Sequence, residues 1–402
     1  MIDNHAIHLF ELLLGVLIVA AMLLRFWFGR LGAPSLVGFI LLGFLVRLLD
    51  SQFEFISPPA LHILEFLSGI GIFMLLFRVG LDSSMHELVE KLPRATPIWL
   101  GNVALSGIPA YLVCVWLLDL GQVPGMFIAV AMTATSIAVS AEIWRSAGAL
   151  DNPDGALLVE VAELDDLSGV VLLAMALAIA PALHLGDGAP MAVLAGEVGL
   201  LFIVKAGAFG ALCLLVARYA ERHIAQALRA AGEPASALML LGVGLIIAAI
   251  ASLLGFSLAI GAFFAGLVFS RDPEVVRLET AFPPLHAFFV PFFFISIGFH
   301  IAPQSLGSAL GIGGVLLVVA VLGKIAGAGL PALMTTSAGG ALVIGISMVP
   351  RAEIAMVVGQ QAQALGDWAM PAEAFSAIAL ISLVTCLFTP FAVRALLKRR
   401  GG

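Results

Sequence analysis

Two adjacent carboxylates, Asp165 and Asp166, lie inside "VAELDDLSGVVLLAMALAIA", a run that begins at Val161 and otherwise suits a lipid environment. A charged side chain at the bilayer centre costs roughly 2.5–3.5 kcal/mol on insertion scales, so a chain keeps one there for a task. Successive helix positions differ by about 100°. One carboxylate can therefore meet a protein partner while the other faces a cavity. Two ionised carboxylates this close repel unless a cation is near. Such a group holds either a proton or a metal cation, and that competition is the chemistry of an ion exchanger. A structural ion pair is the alternative use, more so for Asp165 than for Asp166.

Other mid-span residues complete the set. Lys324, in "VLGKIAGAGLPAL", is a buried ammonium that needs a partner, and the carboxylates at 165 and 166 match it in depth. Gly323, Gly327 and Gly329 would let another helix approach closely. Arg351 and Glu353, in "ISMVPRAEIAMVV", follow Pro350. Proline removes a backbone donor and clashes with the preceding turn, so the helix is broken or kinked there. Opposite charges beside a break can compensate exposed helix-dipole ends. Thr133, Thr135 and Ser136, in "MTATSIAVSAEIW", offer hydroxyls and freed carbonyls to a hard monovalent cation, with helix packing as the alternative role for the hydroxyls. Glu163, one turn from Asp166, lines an entry funnel or is an interfacial charge. Glu65, Arg78, Glu197 and Lys205 read as structural or interfacial.

The elements that must position these residues follow from composition. Of 402 residues, 61% are hydrophobic and 11% charged, against roughly 45–50% and about 25% in a soluble domain. Mean hydropathy is +1.12. The chain is an integral membrane protein. Continuous apolar runs, rather than alternating ones, predict helices instead of a lipid-facing barrel. Spans of about 20 residues are expected near 8–28, 35–49, 60–80, 96–118, 122–144, 157–182, 190–217, 236–254, 256–270, 284–302, 309–335, 339–363 and 371–397. Arg30, Lys91, Arg94, Arg145, Arg218, Arg222, Arg229, Arg271, Arg277 and the tail "LLKRRGG" fall in every second connection, with Arg47 the main exception. The positive-inside rule then places the N-terminus outside and the C-terminus in the cytoplasm, which requires an odd number of spans, as found. The first residues have no basic region or cleavage site, so no removable signal peptide is expected. Cys114, Cys213 and Cys386 lie in apolar runs and read as small buried hydrophobes. Thirteen spans also allow two inverted halves, spans 1–6 and 8–13, with span 7 as connector. In that arrangement span 5 pairs with span 12, and substrate sites lie at midplane on interrupted helices.

Four segments carry a family resemblance: "RLGAPSLVGFILLGFLV", "GIFMLLFRVGLD", "GFSLAIGAFFAGLVFS" and "PFFFISIG". They resemble the signature segments of bacterial monovalent cation–proton antiporters, a family that includes Kef-type potassium efflux systems and NapA-type sodium–proton antiporters. The resemblance runs over almost the whole chain. It implies an all-helical membrane fold with two broken, crossing helices. A dimerisation domain is expected at residues 1–95 and 236–305, and a mobile core domain at 96–184 and 306–402. Residues 185–235 would form the connecting span and a cytoplasmic loop. Asp166 matches the family's cation- and proton-binding aspartate. Asp165 matches the position before it, and Lys324 the lysine that pairs with that position in NapA-type members. Thr133, Thr135 and Ser136 match the unwound stretch of span 5, and Glu353 the acidic residue at the span 12 break. The nucleotide-binding regulatory domain of Kef-type members has no counterpart in this sequence, and Arg78 stands where an apolar or small residue is usual.

The resemblance implies an antiporter, not an enzyme, that exchanges Na+ or Li+ for protons. Exchange is expected to be electrogenic, by elevator-type alternating access, in a homodimer in the bacterial inner membrane. Na+ and H+ are its cargo; no cofactor and no nucleic acid are implied. A K+/H+ antiporter or a Kef-like K+ efflux module is the alternative. Intramembrane proteolysis would need aspartates on two helices, whereas Asp165 and Asp166 share one. An organic-anion symporter of the bile-acid type would not need Lys324.

Overall fold

Backbone N–H and C=O groups cannot stay unpaired in hydrocarbon, which leaves helices as the outcome for continuous apolar runs. All regular structure among the described residues is helical. The computed structural model describes residues 4–82, 85–150, 152–185, 204–205, 207–220, 235–270 and 282–401. Its principal helices are α1 (Asn4–Leu31), α2 (Ser35–Phe53), α3 (Pro58–Asp82), α4 (Met85–Leu112), α5 (Gln122–Thr133), α6 (Ile137–Ser146), α7 (Pro153–Leu185), α8 (Ala235–Leu253), α9 (Leu258–Phe269), α10 (Phe282–His300), α11 (Leu306–Ala332), α12 (Ala338–Ser347), α13 (Glu353–Gln363) and α14 (Ala372–Gly401). Nine helical segments among the described residues are long and apolar enough to cross a membrane. Three further expected spans take other forms. The fifth and twelfth are each split into two short helices, α5 with α6 and α12 with α13, and the ninth is the 12-residue α9. At 1.5 Å per residue α9 rises about 18 Å, less than the roughly 30 Å hydrocarbon core. Most of the expected seventh span, 190–217, lies outside the described residues, as does Glu197.

Local sequence explains the ends that matter. Helix α7 starts at Pro153, earlier than expected, with Asp154 in its first turn. Proline suits the first helical position because its missing N–H would be unpaired there anyway. In α12, Ser337 caps the start by accepting from the Gly340 N–H at 3.2 Å. Pro350 prevents continuation, and regular helix resumes only at Glu353.

The chain divides into two compact units. One comprises Met1–Glu65, Glu90–Gly169 and Phe294–Gly402, and the other Phe66–Val89 and Val170–Phe293. In the second, Phe73 stacks on Phe77 at 5.4 Å, and Phe77 meets Phe282 at 6.1 Å. Arg78 pairs with Asp82 one turn on, at 3.5 Å, with both side chains well exposed. This places Arg78 and its partner in the last turns of α3.

The first unit holds the mid-span charges. There α4 and α11 come into backbone contact. A Cβ on Gly327 would stand 2.6 Å from the Gly101 carbonyl oxygen, and one on Gly101 would stand 2.5 Å from that of Gly327. Small residues at such crossings let helices meet without side chains between them. Gly327→Val should force α4 and α11 apart, at an overpacking cost of roughly 1–3 kcal/mol. Thermal melting of the purified protein in detergent should show a clearly lowered midpoint. An unchanged midpoint would mean that the two backbones are not in contact.

Candidate functional site

The two broken helices meet at their breaks. After Thr133 the chain turns extended, with Ala134 at φ −64°, ψ 146° and Ser136 at φ −91°, ψ 96°. The second break covers the residues between Ser347 and Glu353. The Ser136 N–H donates to the Pro350 carbonyl at 2.8 Å, and the Thr135 hydroxyl lies 3.3 Å from the Met348 carbonyl. Each unwound stretch thus takes up backbone groups that the other leaves unpaired. Further along the crossing, Ser140 Oγ donates to the Ser347 carbonyl at 2.5 Å, and Trp144 Nε1 donates to Ser347 Oγ at 2.8 Å.

Helices α5 and α12 both end here, so the crossing concentrates C-terminal carbonyls with partial negative charge. Two buried cations face them. Lys324 Nζ donates to the Thr133 carbonyl, to Thr135 Oγ1 at 2.6 Å and to Asp165 Oδ2 at 2.9 Å. An ammonium has three protons, and all three are used. Arg351 donates from Nη2 to the Met132 carbonyl at 2.6 Å and from Nη1 to the Val349 carbonyl at 3.0 Å. The Arg351 backbone is gripped by α14: its N–H donates to Thr385 Oγ1 at 3.2 Å, and its carbonyl accepts from Cys386 Sγ at 3.2 Å.

The two aspartates have unlike surroundings. Asp165 is 1% exposed. Its Oδ2 accepts from Lys324, from Thr135 Oγ1 at 2.6 Å and from Asn102 Nδ2 at 2.6 Å. Asp166 is half-buried, and its carboxylate makes no hydrogen bond or ion pair among the described residues. The charges within electrostatic reach of it are Glu353, Asp165, Glu163 and Lys324. Glu353 opens α13, with its carboxylate turned back to its own backbone N–H and Ser136 beside it. Glu163 is half-buried, about one helical turn before Asp166 on α7. An open carboxylate beside acidic neighbours attracts cations and protons alike. A pinned carboxylate beside a lysine does not.

Of the hydroxyl and the freed carbonyl that the sequence reading offers at Thr133, the structure brings in the carbonyl. Its hydroxyl donates to the Val130 carbonyl of its own helix, and its backbone carbonyl is the group that serves the site. Asn102 and Thr385 are absent from that reading, and Cys386 enters it only as a small buried hydrophobe. A lone asparagine in the apolar "IWLGNVALSG" was the one available signal for Asn102. Thr385 and Cys386 look like ordinary residues of a buried helix. All three cysteines are buried and free.

Comparison with known proteins fits this architecture. The family described as "Sodium/hydrogen exchanger, transmembrane" matches residues 15–399. The Na+/H+-K+ antiporter GerN of Bacillus cereus is 28% identical over 90% of this chain and 89% of its own length. The high-affinity Na+/H+ antiporter NhaS3 of Synechocystis is 27% identical over 84% of this chain and 72% of its own. Among solved structures, the sodium proton antiporter MjNhaP1 of Methanocaldococcus jannaschii superposes with a TM-score of 0.72, at 17% identity, over 98% of this chain and 99% of that one. With nine apolar spans among the described residues, two interrupted helices that meet at their breaks and a family match over nearly all its length, this multi-pass membrane protein belongs to the sodium/hydrogen exchanger family.

Proposed function

We propose that this protein exchanges Na+, or Li+, for protons across the bacterial inner membrane, with Asp166 as the carboxylate the two ions share in turn. The observation that carries the reading is the contrast within one dipeptide: Asp165 is saturated on one oxygen and paired with Lys324, while Asp166 next to it has no such partner among the described residues. A hard monovalent cation suits oxygen ligands, and Glu353, Glu163 and the break at Ser136 supply an acidic, oxygen-rich surrounding. When the cation binds at Asp166, the Asp165–Lys324 pair loosens and Lys324 releases a proton. Asp166 gives up another. Two protons then move against each cation, so the exchange carries net charge.

Access alternates as residues 96–184 and 306–402 move relative to a dimerisation domain made of 1–95 and 236–305. The N-terminus lies outside and the C-terminus in the cytoplasm, and two copies form a homodimer. Exchange of K+ for protons is the second reading, favoured by the description of GerN as a Na+/H+-K+ antiporter.

Asp166→Asn removes the shared site. Cation-driven proton movement in proteoliposomes should then fall to the level of empty vesicles with Na+, Li+ and K+ tested separately, and continued exchange would overturn the assignment. Lys324→Gln leaves Asp165 buried without its cation. Breaking one side of a buried pair costs roughly 3–5 kcal/mol, so the melting midpoint should drop sharply. Any exchange that survives should carry less charge per cation. Undiminished charge would remove Lys324 from proton transport.

A further inference from the structure

The end of α14 meets the turn between α1 and α2. A Cβ on Gly32, in that turn, would stand 3.4 Å from Arg394 Nη2. All three helices belong to one compact unit. Lys398 follows Arg394 by one turn of α14, and Arg30 lies just before Gly32. Arg30, Arg394 and Lys398 are exposed, and none pairs with a carboxylate among the described residues. Arg47, Arg78 and Arg145, by contrast, each face a carboxylate of their own helix. Arg30 is held by its own helix instead: its Cζ stands 4.3 Å from the centre of the Phe26 ring. Stacking of this kind leaves the edge of the guanidinium free to donate.

Each basic end continues into an apolar stripe. On α14, Leu387, Phe391, Arg394 and Lys398 fall within about 60° of arc at 100° per residue. On α1, Leu23, Phe26, Trp27 and Arg30 fall within about 100°. The five apolar side chains are exposed. Exposed apolar side chains are ordinary for helices in lipid. What selects a ligand is the set of unpaired cations at the head of both stripes, brought to one turn. A charged head above apolar surface matches an amphiphile of opposite charge. Trp27 lies one turn from the end of α1, the level at which aromatic residues favour the headgroup region.

We propose that the end of α14 and the α1–α2 turn form a binding site for an anionic phospholipid. Arg394, Arg30 and Lys398 hold its phosphodiester, and its chains lie along Phe391 and Trp27. Arginine's planar fork donates to two phosphate oxygens at once, and lysine adds a compact charge. Net charge decides between lipids. A zwitterionic headgroup carries the same phosphate together with a cation of its own, which these three side chains repel. The proposal goes beyond the exchange reading and holds whichever cation the protein moves.

The test gives phosphatidylglycerol, phosphatidylcholine or inorganic phosphate to the full-length protein, purified in detergent and freed of lipid. Bound molecules are counted by native mass spectrometry, and thermal melting is followed in parallel. Phosphatidylglycerol should bind at least about tenfold more tightly than phosphatidylcholine and raise the midpoint. Inorganic phosphate, which has no chains, should do neither. A basic residue near an anionic surface contributes roughly fivefold in affinity, so joint Arg394→Gln and Lys398→Gln substitution should weaken phosphatidylglycerol about 25-fold. Arg394→Lys, which keeps the charge and loses the fork, should lose less than Arg394→Gln. All these side chains are exposed, so midpoints without lipid should match that of the unsubstituted protein. Arg25 supplies the control. It is exposed and unpaired among the described residues, and it points about 140° away from Arg30 on α1. Arg25→Gln should leave binding unchanged. A loss equal to that of Arg30→Gln would mean that lipid follows overall surface charge, and would overturn the site. Equal binding of the two lipids would overturn it as well. So would dimers that carry no lipid and a midpoint that no lipid shifts, a result that assigns this face to a second copy of the chain.

Discussion

A lysine and an aspartate facing each other at 2.9 Å, both side chains fully buried, form the interaction around which this structure is arranged. Desolvating two charges is expensive, and their attraction compensates only when geometry and extra hydrogen bonds are good. Both conditions are met through side chains and carbonyls from four helices. Asn102 comes from α4, the Thr133 carbonyl and Thr135 from the end of α5, Asp165 from α7 and Lys324 from α11. Because a buried charge left alone is so costly, these helices are held to one register. The glycine contact between α4 and α11 follows from the same requirement: an intervening side chain would put Lys324 out of reach of its partners.

The same physics governs the crossing. Breaking a membrane helix exposes backbone groups that hydrocarbon cannot satisfy. The protein satisfies them with the second broken helix and with buried cations. Lys324 and Arg351 both donate to carbonyls at the end of α5, and Glu353 stands at the start of α13, where a helix dipole favours negative charge. Thr385 and Cys386 hold the Arg351 backbone from the last helix. Charges that first look like substrate ligands therefore divide into two kinds. Arg351 is absorbed by backbone. Asp166 is left open, which is why the exchange reading rests on it.

Much of this was legible in the residues. Composition and run length place the chain in a membrane, and the spacing of Arg and Lys alternates with the spans. Pro350 marks one break through its missing N–H, and Asp165, Asp166, Lys324, Arg351 and Glu353 stand out because hydrocarbon penalises them. Depth is encoded one-dimensionally, so it matches Lys324 to both aspartates by level, and the family resemblance is what pairs it with Asp165. The break after Thr133 carries no proline; the expected symmetry with the twelfth span and the family resemblance are what point to it.

Tertiary structure decided the rest, because direction around a helix axis and choice of partner depend on how helices pack. The order of residues does not say that Thr133 offers its carbonyl while its hydroxyl stays on its own helix, or that Asn102 reaches a carboxylate 63 positions along the chain. Spacing and depth do not say which of two neighbouring aspartates is pinned and which is open; only the family resemblance assigns Lys324 to Asp165. By itself, the sequence determined which residues are too costly to bury without a reason. Packing of α4, α5, α7 and α11 supplied the reason, since only helices at backbone contact bring donors within hydrogen-bond reach of one oxygen.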